Sequence, residues 1–310
     1  MLLLFLLDFY VSWARSDPVY QNYFPGCRLL ISPHFVRQSW HAGLFQRQPA
    51  KLLIDSGAYW YIYKKEVPPP PKEVFFRQLT MAEGATCPTT ICHFDMPLQP
   101  KDVQAQINYG RIETTIGNAY DFMELYNKSN LPKNIKSLGV IQGYDEYSIK
   151  FCAQELVRLG FDYFGLGSLA GLHHPETIIS RVKSAMEIVG TNLHIFGISN
   201  TQIIFDLAKR GISSFDSSRP IRAAIYNTIF YSKPFRSFVV QGAKNEPRRT
   251  PIIEEPLPCE CPVCRENPLL LMRTGRKKYH NLRAVHNYYH LITEINQHCL
   301  LSNPDKEILA

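Results

Sequence analysis

Seven short apolar runs recur along the first 216 residues, most at spacings that a helix can fill. They are RLLIS (28–32), KLLID (51–55), TTICHFD (89–95), LGVIQG (138–143), FDYFGLG (161–167), LHIFGIS (193–199) and SSFD (213–216). Helical patterns lie between them, among them YSIKFCAQELVRLG (147–160), PETIISRVKSAMEIVG (175–190) and TQIIFDLAKRG (201–211). Gly160 and Gly190 close two of these patterns, as helix-ending glycines do. Runs that are apolar on both faces and alternate with helices are strands of a covered parallel sheet. At least six such units predict an α/β fold, a (β/α)8 barrel rather than an open doubly wound sheet. No glycine fingerprint of the dinucleotide-binding type follows the first run.

Polar residues stand at the ends of these runs. Asp55 ends KLLID, Asp95 ends TTICHFD, Gln142 follows LGVI, Gly167 and Ser168 follow DYFGL, and Asp216 ends SSFD. In a barrel the C-terminal ends of the strands converge on one mouth, where the active sites of this architecture lie. One Asp after a strand is most simply a helix cap or a turn residue. Three carboxylates and a glutamine drawn to one mouth are costly to bury unless they are paired or used in chemistry.

The stretch CECPVC (259–264) packs three cysteines into six residues. The other five, Cys27, Cys87, Cys92, Cys152 and Cys299, are scattered, as reduced thiols in a core are, and this favours the cytoplasm. In a reducing compartment the tight cluster reads as a metal site. A structural zinc ion takes four tetrahedral ligands, and His280, His286, His290 and His298 are the candidates for the fourth. Ala284–Ile295 has the pattern of an amphipathic helix. His286 and His290 are four apart on one face of it, so spacing alone leaves both open.

The formal charge of +7 permits a polyanionic partner such as nucleic acid without requiring one. The apolar start MLLLFLL is cut by Asp8 and lacks a basic leader, so it is expected to be a buried strand, a helix start, or sequence around an uncertain start codon. No stretch is expected to span a membrane. PPPP (68–71) reads as a stiff loop near the mouth, KNEPRRTP (244–251) as a flexible linker, and RTGRKKYH (273–280) as a solvated basic face or a track for phosphates.

The residues also carry a resemblance. LLIDSGAYW, VIQG, GLGSLAG and ISSFDSSRPIR resemble, in that order, the motifs of the tRNA-guanine transglycosylase family. CECPVC followed by His286-Asn287 resembles that family's C-x-C-x2-C…H-N zinc motif. The resemblance runs from about residue 28 to the end. It implies a (β/α)8 barrel over residues 1–243, and a zinc-binding subdomain over residues 244–310 with a C-terminal helix that completes the barrel.

The resemblance implies roles. Such enzymes exchange a guanine in a nucleic acid, tRNA foremost, for a 7-deazaguanine base. Asp216 would be the nucleophile, forming a covalent Asp–ribosyl intermediate, with Arg219 or Arg222 nearby to keep it ionised. Asp55 would be the general acid/base. Asp95 would accept from the base's N1–H and amine, and Gln142, Gly167 and Ser168 would donate to its O6. Tyr59 and Phe196 would sandwich it. Cys259, Cys261, Cys264 and His286 would hold structural Zn2+. A homodimer and a cytoplasmic location accompany this reading. The chain departs from the family pattern at Ala58, Trp60 and Ser168, and between Asp216 and Cys259 it is short. A DNA-modifying paralogue and a non-catalytic partner subunit are the alternatives.

Overall fold

Eight parallel strands close on themselves in the computed structural model, which describes residues 7–14, 16–34, 44–98, 105–170, 172, 174–240 and 250–301. The strands are β1 (Asp8–Trp13), β2 (Arg28–Ile31), β3 (Lys51–Ile54), β4 (Thr89–Cys92), β5 (Ile135–Ile141), β6 (Tyr163–Leu166), β7 (Leu193–Ile195) and β8 (Ser214–Ser217). Seven of them fall on the seven apolar runs. The eighth, β1, comes from the ambiguous N-terminal segment and joins the ring on both sides. Tyr10 pairs with Arg28 of β2 and with Asp216 of β8. The positions 1–6 and 244–249 of the segments discussed above lie outside the described residues.

Side chains alternate along each strand, so one set lines the inside of the ring and the other faces the helices. Tyr10, Leu30, Leu53, Cys92, Leu138 and Val140 form a small inner cluster. Phe9, Leu29, Leu52, Ile91, Ile141 and Phe215 belong to the large outer core. Full burial of each such side chain contributes roughly 1.5–3 kcal/mol.

The helices are α1 (Ala58–Lys64), α2 (Pro71–Ala82), α3 (Ala105–Lys128), α4 (Glu146–Leu159), α5 (Pro175–Val189), α6 (Thr201–Lys209), α7 (Arg219–Ile225), α8 (Pro262–Glu266) and α9 (Lys277–Leu301). Helix α4 starts on a capping box in which Asp145 Oδ1 accepts from Ser148 N at 2.8 Å. It ends on Gly160 at φ +83°. Helix α9 covers the outer face of β1, with Tyr288 against Phe9, Tyr20 and Phe24 at ring distances of 4.9–5.5 Å.

A second sheet follows the barrel. β9 (Thr228–Tyr231) pairs antiparallel with β10 (Arg236–Val240), which pairs parallel with β11 (Ile252–Ile253). Thus β9 and β10, although they precede residue 244, pair with β11 and not with the barrel. No helix among the described residues is long and apolar enough to cross a membrane.

Candidate active site and metal centre

The ends of β3, β4, β5, β6 and β8 bring together most of the polar residues singled out above. Asp95 is buried and accepts two hydrogen bonds, from Gln142 Nε2 at 2.6 Å and from Ser56 Oγ at 3.2 Å. Gln142 is fully buried, and its Oε1 accepts from Ser168 Oγ at 2.5 Å. Ser168 Oγ accepts in turn from Leu98 N at 2.7 Å. Ser168 sits at φ +55°, a left-handed conformation that turns the chain sharply after β6. Gly167 beside it must stay small, because a Cβ there would lie 2.4 Å from Gln142 Nε2.

Asp55 follows β3 and accepts from Ser56 N at 2.7 Å. Loss of water pushes its carboxyl up to about 7, and the charges of Asp95 and Asp216 add to the effect. Asp95 is raised to about 6 by burial, against the opposing pull of Gln142 and other donors. Three carboxylates share one dry site, so protons are held there near neutral pH.

Asp216 lies within β8 with its side chain turned into the ring. Its Oδ2 accepts from Ser12 Oγ of β1 at 2.9 Å, and its Oδ1 accepts from Gly197 N at 2.8 Å. His194 Nε2 of β7 stands 3.4 Å from the same Oδ1. The expectation that an arginine attends Asp216 is corrected. Arg219 instead donates from Nη1 to Ser199 O at 2.6 Å and lies over the Phe230 ring at 5.3 Å, and Arg222 is exposed. Neutral donors hold Asp216 in their place.

Phe196 packs against the inner cluster, its ring 4.5 Å from that of His194. Tyr59 is not brought into this cluster. Helix α1 turns Ala58 and Tyr61 toward Val74 and Phe94, so Tyr59 faces outward, 58% exposed and stacked on Tyr63 at 6.2 Å.

Ser12, Gly197 and His194 join the site without any motif to mark them in the sequence. The period-2 alternation would have found two of them. Counting by twos within β1 and β7, Tyr10–Ser12 and His194–Phe196 share the inward parity of Ser214–Asp216.

The three sulfurs of Cys259, Cys261 and Cys264 stand 3.3–3.7 Å from His286 Nδ1, and the four donor atoms lie within 4.8 Å of one another. The edges of a tetrahedron around zinc with thiolate and imidazole ligands are roughly 3.5–3.8 Å, so the donor set fits a metal ion. His286 Nε2 is 2.7 Å from Phe230 O; a proton held there leaves Nδ1 free to ligate. His290 is otherwise engaged, its Nδ1 accepting from Ser232 N at 3.0 Å. The next residue after His286 serves the fold. Asn287 accepts from Phe230 N and donates to Pro220 O and Thr228 O, which ties α9 to β9 and to α7 behind the Asp216 strand.

Residues 88–298 match the family model described as queuine tRNA-ribosyltransferase. The chain is similar to the tRNA-guanine(15) transglycosylase of Korarchaeum cryptofilum, 26% identical over 66% of this chain and 33% of that protein. It is 24% identical to the tRNA-guanine(15) transglycosylase of Methanocaldococcus jannaschii over 79% of this chain and 36% of that protein. With the queuine tRNA-ribosyltransferase of a Thermoanaerobacter species it shares 28% identity over 50% of this chain and 42% of that protein. The chain thus spans between a third and under half of the length of these relatives.

Proposed function

Because the chain belongs to the queuine tRNA-ribosyltransferase family, we propose that it is a pentosyltransferase that exchanges a guanine in tRNA for a 7-deazaguanine base. The observation that carries this reading is the convergence of Asp55, Asp95 and Asp216, with Gln142 and Ser168, at one end of the barrel. The names of the similar proteins favour tRNA over DNA as the polynucleotide.

The chemistry follows from the two kinds of carboxylate. Asp216, held by Ser12 and Gly197, attacks C1′ of the target ribose and forms an ester as the bond from C1′ to the base nitrogen breaks. Asp55, whose carboxyl retains a proton up to about pH 7, gives that proton to the departing guanine nitrogen. The incoming 7-deazaguanine returns a proton to Asp55 from the corresponding nitrogen. That nitrogen then attacks C1′ and frees Asp216. Asp95 receives the donor edge of either base, and Gln142, Gly167 and Ser168 face its carbonyl. Phe196 supplies one flat apolar wall, and Tyr59 the other if its ring swings inward from its stack on Tyr63. The base must leave its stack in the polynucleotide to enter.

The ion proposed for Cys259, Cys261, Cys264 and His286 is zinc. Soft thiolates with one imidazole suit it, and four protein ligands leave no open position, so its role is structural.

The test is trapping. Enzyme, nucleic acid and a slowly reacting base analogue are mixed, denatured and digested, with tRNA and duplex DNA in separate arms. The expected adduct is a ribosyl ester on the peptide holding Asp216, from tRNA, and it disappears in Asp216→Asn. An adduct on the Asp55 peptide would reverse the assignment. Labelled guanine entering DNA and not tRNA would overturn the choice of substrate.

A further inference from the structure

His194 is fully buried at the floor of the site, and no step written above uses it. Its ring is wedged by Phe196 at 4.5 Å and by Tyr10 at 5.7 Å, both edge-on, so it has little room to turn. Nδ1 lies 2.7 Å from Ser214 Oγ, and Ser214 Oγ lies 2.6 Å from Tyr163 OH. Nε2 faces Asp216 Oδ1 at 3.4 Å. Four side chains from β6, β7 and β8 thus form one chain of contacts that ends on the proposed nucleophile.

The geometry points to His194 as the positioning residue of Asp216, with Ser214 and Tyr163 selecting the tautomer that aims Nε2–H at the carboxylate. The direction of the chain follows from proton counting. An ionised Asp216 carboxylate only accepts, so the ring proton belongs on Nε2, which faces it, and Nδ1 is left as an acceptor. Ser214 Oγ then donates to Nδ1, and the Tyr163 phenol, which burial keeps protonated, is available to donate to Ser214 Oγ in turn. The groups facing the ring are Tyr10 from β1, Phe196 just after β7, and Ser214 and Asp216 from β8, with Tyr163 of β6 behind Ser214. The only carboxylate among them is Asp216. His194 and Gly197 N therefore both donate to Oδ1, and they fix the plane of the carboxylate that must meet C1′. When the ester breaks, the same donors receive the returning charge.

The inference rests on the proposed base exchange, and the experiment separates the two. Single-turnover adduct formation on tRNA is compared for the wild type, His194→Leu, His194→Gln, Ser214→Ala and the double variant His194→Leu/Ser214→Ala. His194→Leu is expected to form the adduct about 10–100-fold more slowly, with guanine affinity within about 2-fold of the wild type. His194→Gln, which keeps an N–H donor, recovers most of that loss. Ser214→Ala slows the step by itself but adds nothing to His194→Leu, because it acts only through the ring.

Equal rates in His194→Leu and the wild type would overturn the inference, and so would independent losses in the double variant. If the Leu chain does not fold, the Gln and Ser214→Ala variants decide, since full activity in Ser214→Ala is equally fatal. A wild type that forms no adduct removes the proposed function and this inference with it. Selective 15N labelling of histidine gives a readout that needs no reaction. The proton of His194 is expected on Nε2, and its presence on Nδ1 would refute the chain.

Discussion

Gln142 donates to Asp95 across 2.6 Å, and both residues are buried. In the absence of a base this pair satisfies the carboxylate that is meant to meet the base's donor edge. Asp95→Asn replaces an acceptor by a group that is half donor, so one donor of the bound base is left without a partner. A loss of about 2–4 kcal/mol in guanine affinity is expected by calorimetry. Unchanged affinity would remove Asp95 from base recognition.

Asp55 makes the fold less stable as pH rises. Its carboxyl is raised from 3.8 to about 7, so between those values the folded chain holds a proton that the unfolded chain has released. The stability this contributes is complete below about pH 3.8 and is lost as pH climbs through 7. Asp55→Asn removes the charge. At pH 8 it should be more stable than the wild type by on the order of 4 kcal/mol, and the gap should close toward pH 4. Denaturant melts at three pH values check this. A gap that widens as pH falls would contradict the burial argument.

The metal centre should hold about one ion per chain. Metal analysis of Cys261→Ala should find that ion gone and thermal unfolding broadened, because Cys261 is fully buried among the ligands and takes Cys264 N–H on its sulfur at 3.3 Å. His290→Ala should keep its metal. Retention in Cys261→Ala, or loss in His290→Ala, would mean that the ligand set is misassigned.

Arg283 is a buried cation with no carboxylate among its partners in the described residues. Its guanidinium donates to Ala224 O, Leu271 O, Arg273 O and Asn227 Oδ1, and burial brings it down to about 10. It joins α9, the loop ahead of it and the end of α7. Arg283→Met strips the donor from four acceptors at once and should cost about 2–4 kcal/mol in urea unfolding. Arg283→Lys should recover little of this, because an ammonium cannot span the fork. A Met variant as stable as the wild type would disprove the role.

The barrel was legible because its strands are buried on both faces and read as solid apolar runs. β1 was harder. The apolar residues MLLLFLL precede it, so from sequence DFYVSW fits a strand or the start of a helix equally, and its pairing with β8 decides. The sheet of β9 and β10 is not legible in the sequence, since TIFYSKPFRSFVV lies in the short stretch between Asp216 and Cys259 with no helix to separate the two strands. Asp55, Asp95, Gln142 and Asp216 stood out because polar residues ending apolar runs are conspicuous. His194 did not, because LHIFGIS places it mid-run where one polar ring is easily taken for core. Tyr59 shows the limit of motif reading. The motif gives its place in the chain, but which face of α1 it occupies depends on Ala58 and Tyr61 packing inward.

The bond from Ser12 to Asp216 joins residues 204 apart in sequence. During synthesis β1 leaves the ribosome long before β8 exists, at about 5–20 residues per second. For that interval β1 can pair with β2 but its other edge stays open, and the contact order of its pairing with β8 makes that step slow. The carboxylate proposed to attack ribose therefore gains its tether on Oδ2 only after ring closure. A nascent or truncated chain holding Asp55 and Asp95 would be chemically silent toward RNA, and reactivity would itself report that the ring had been completed.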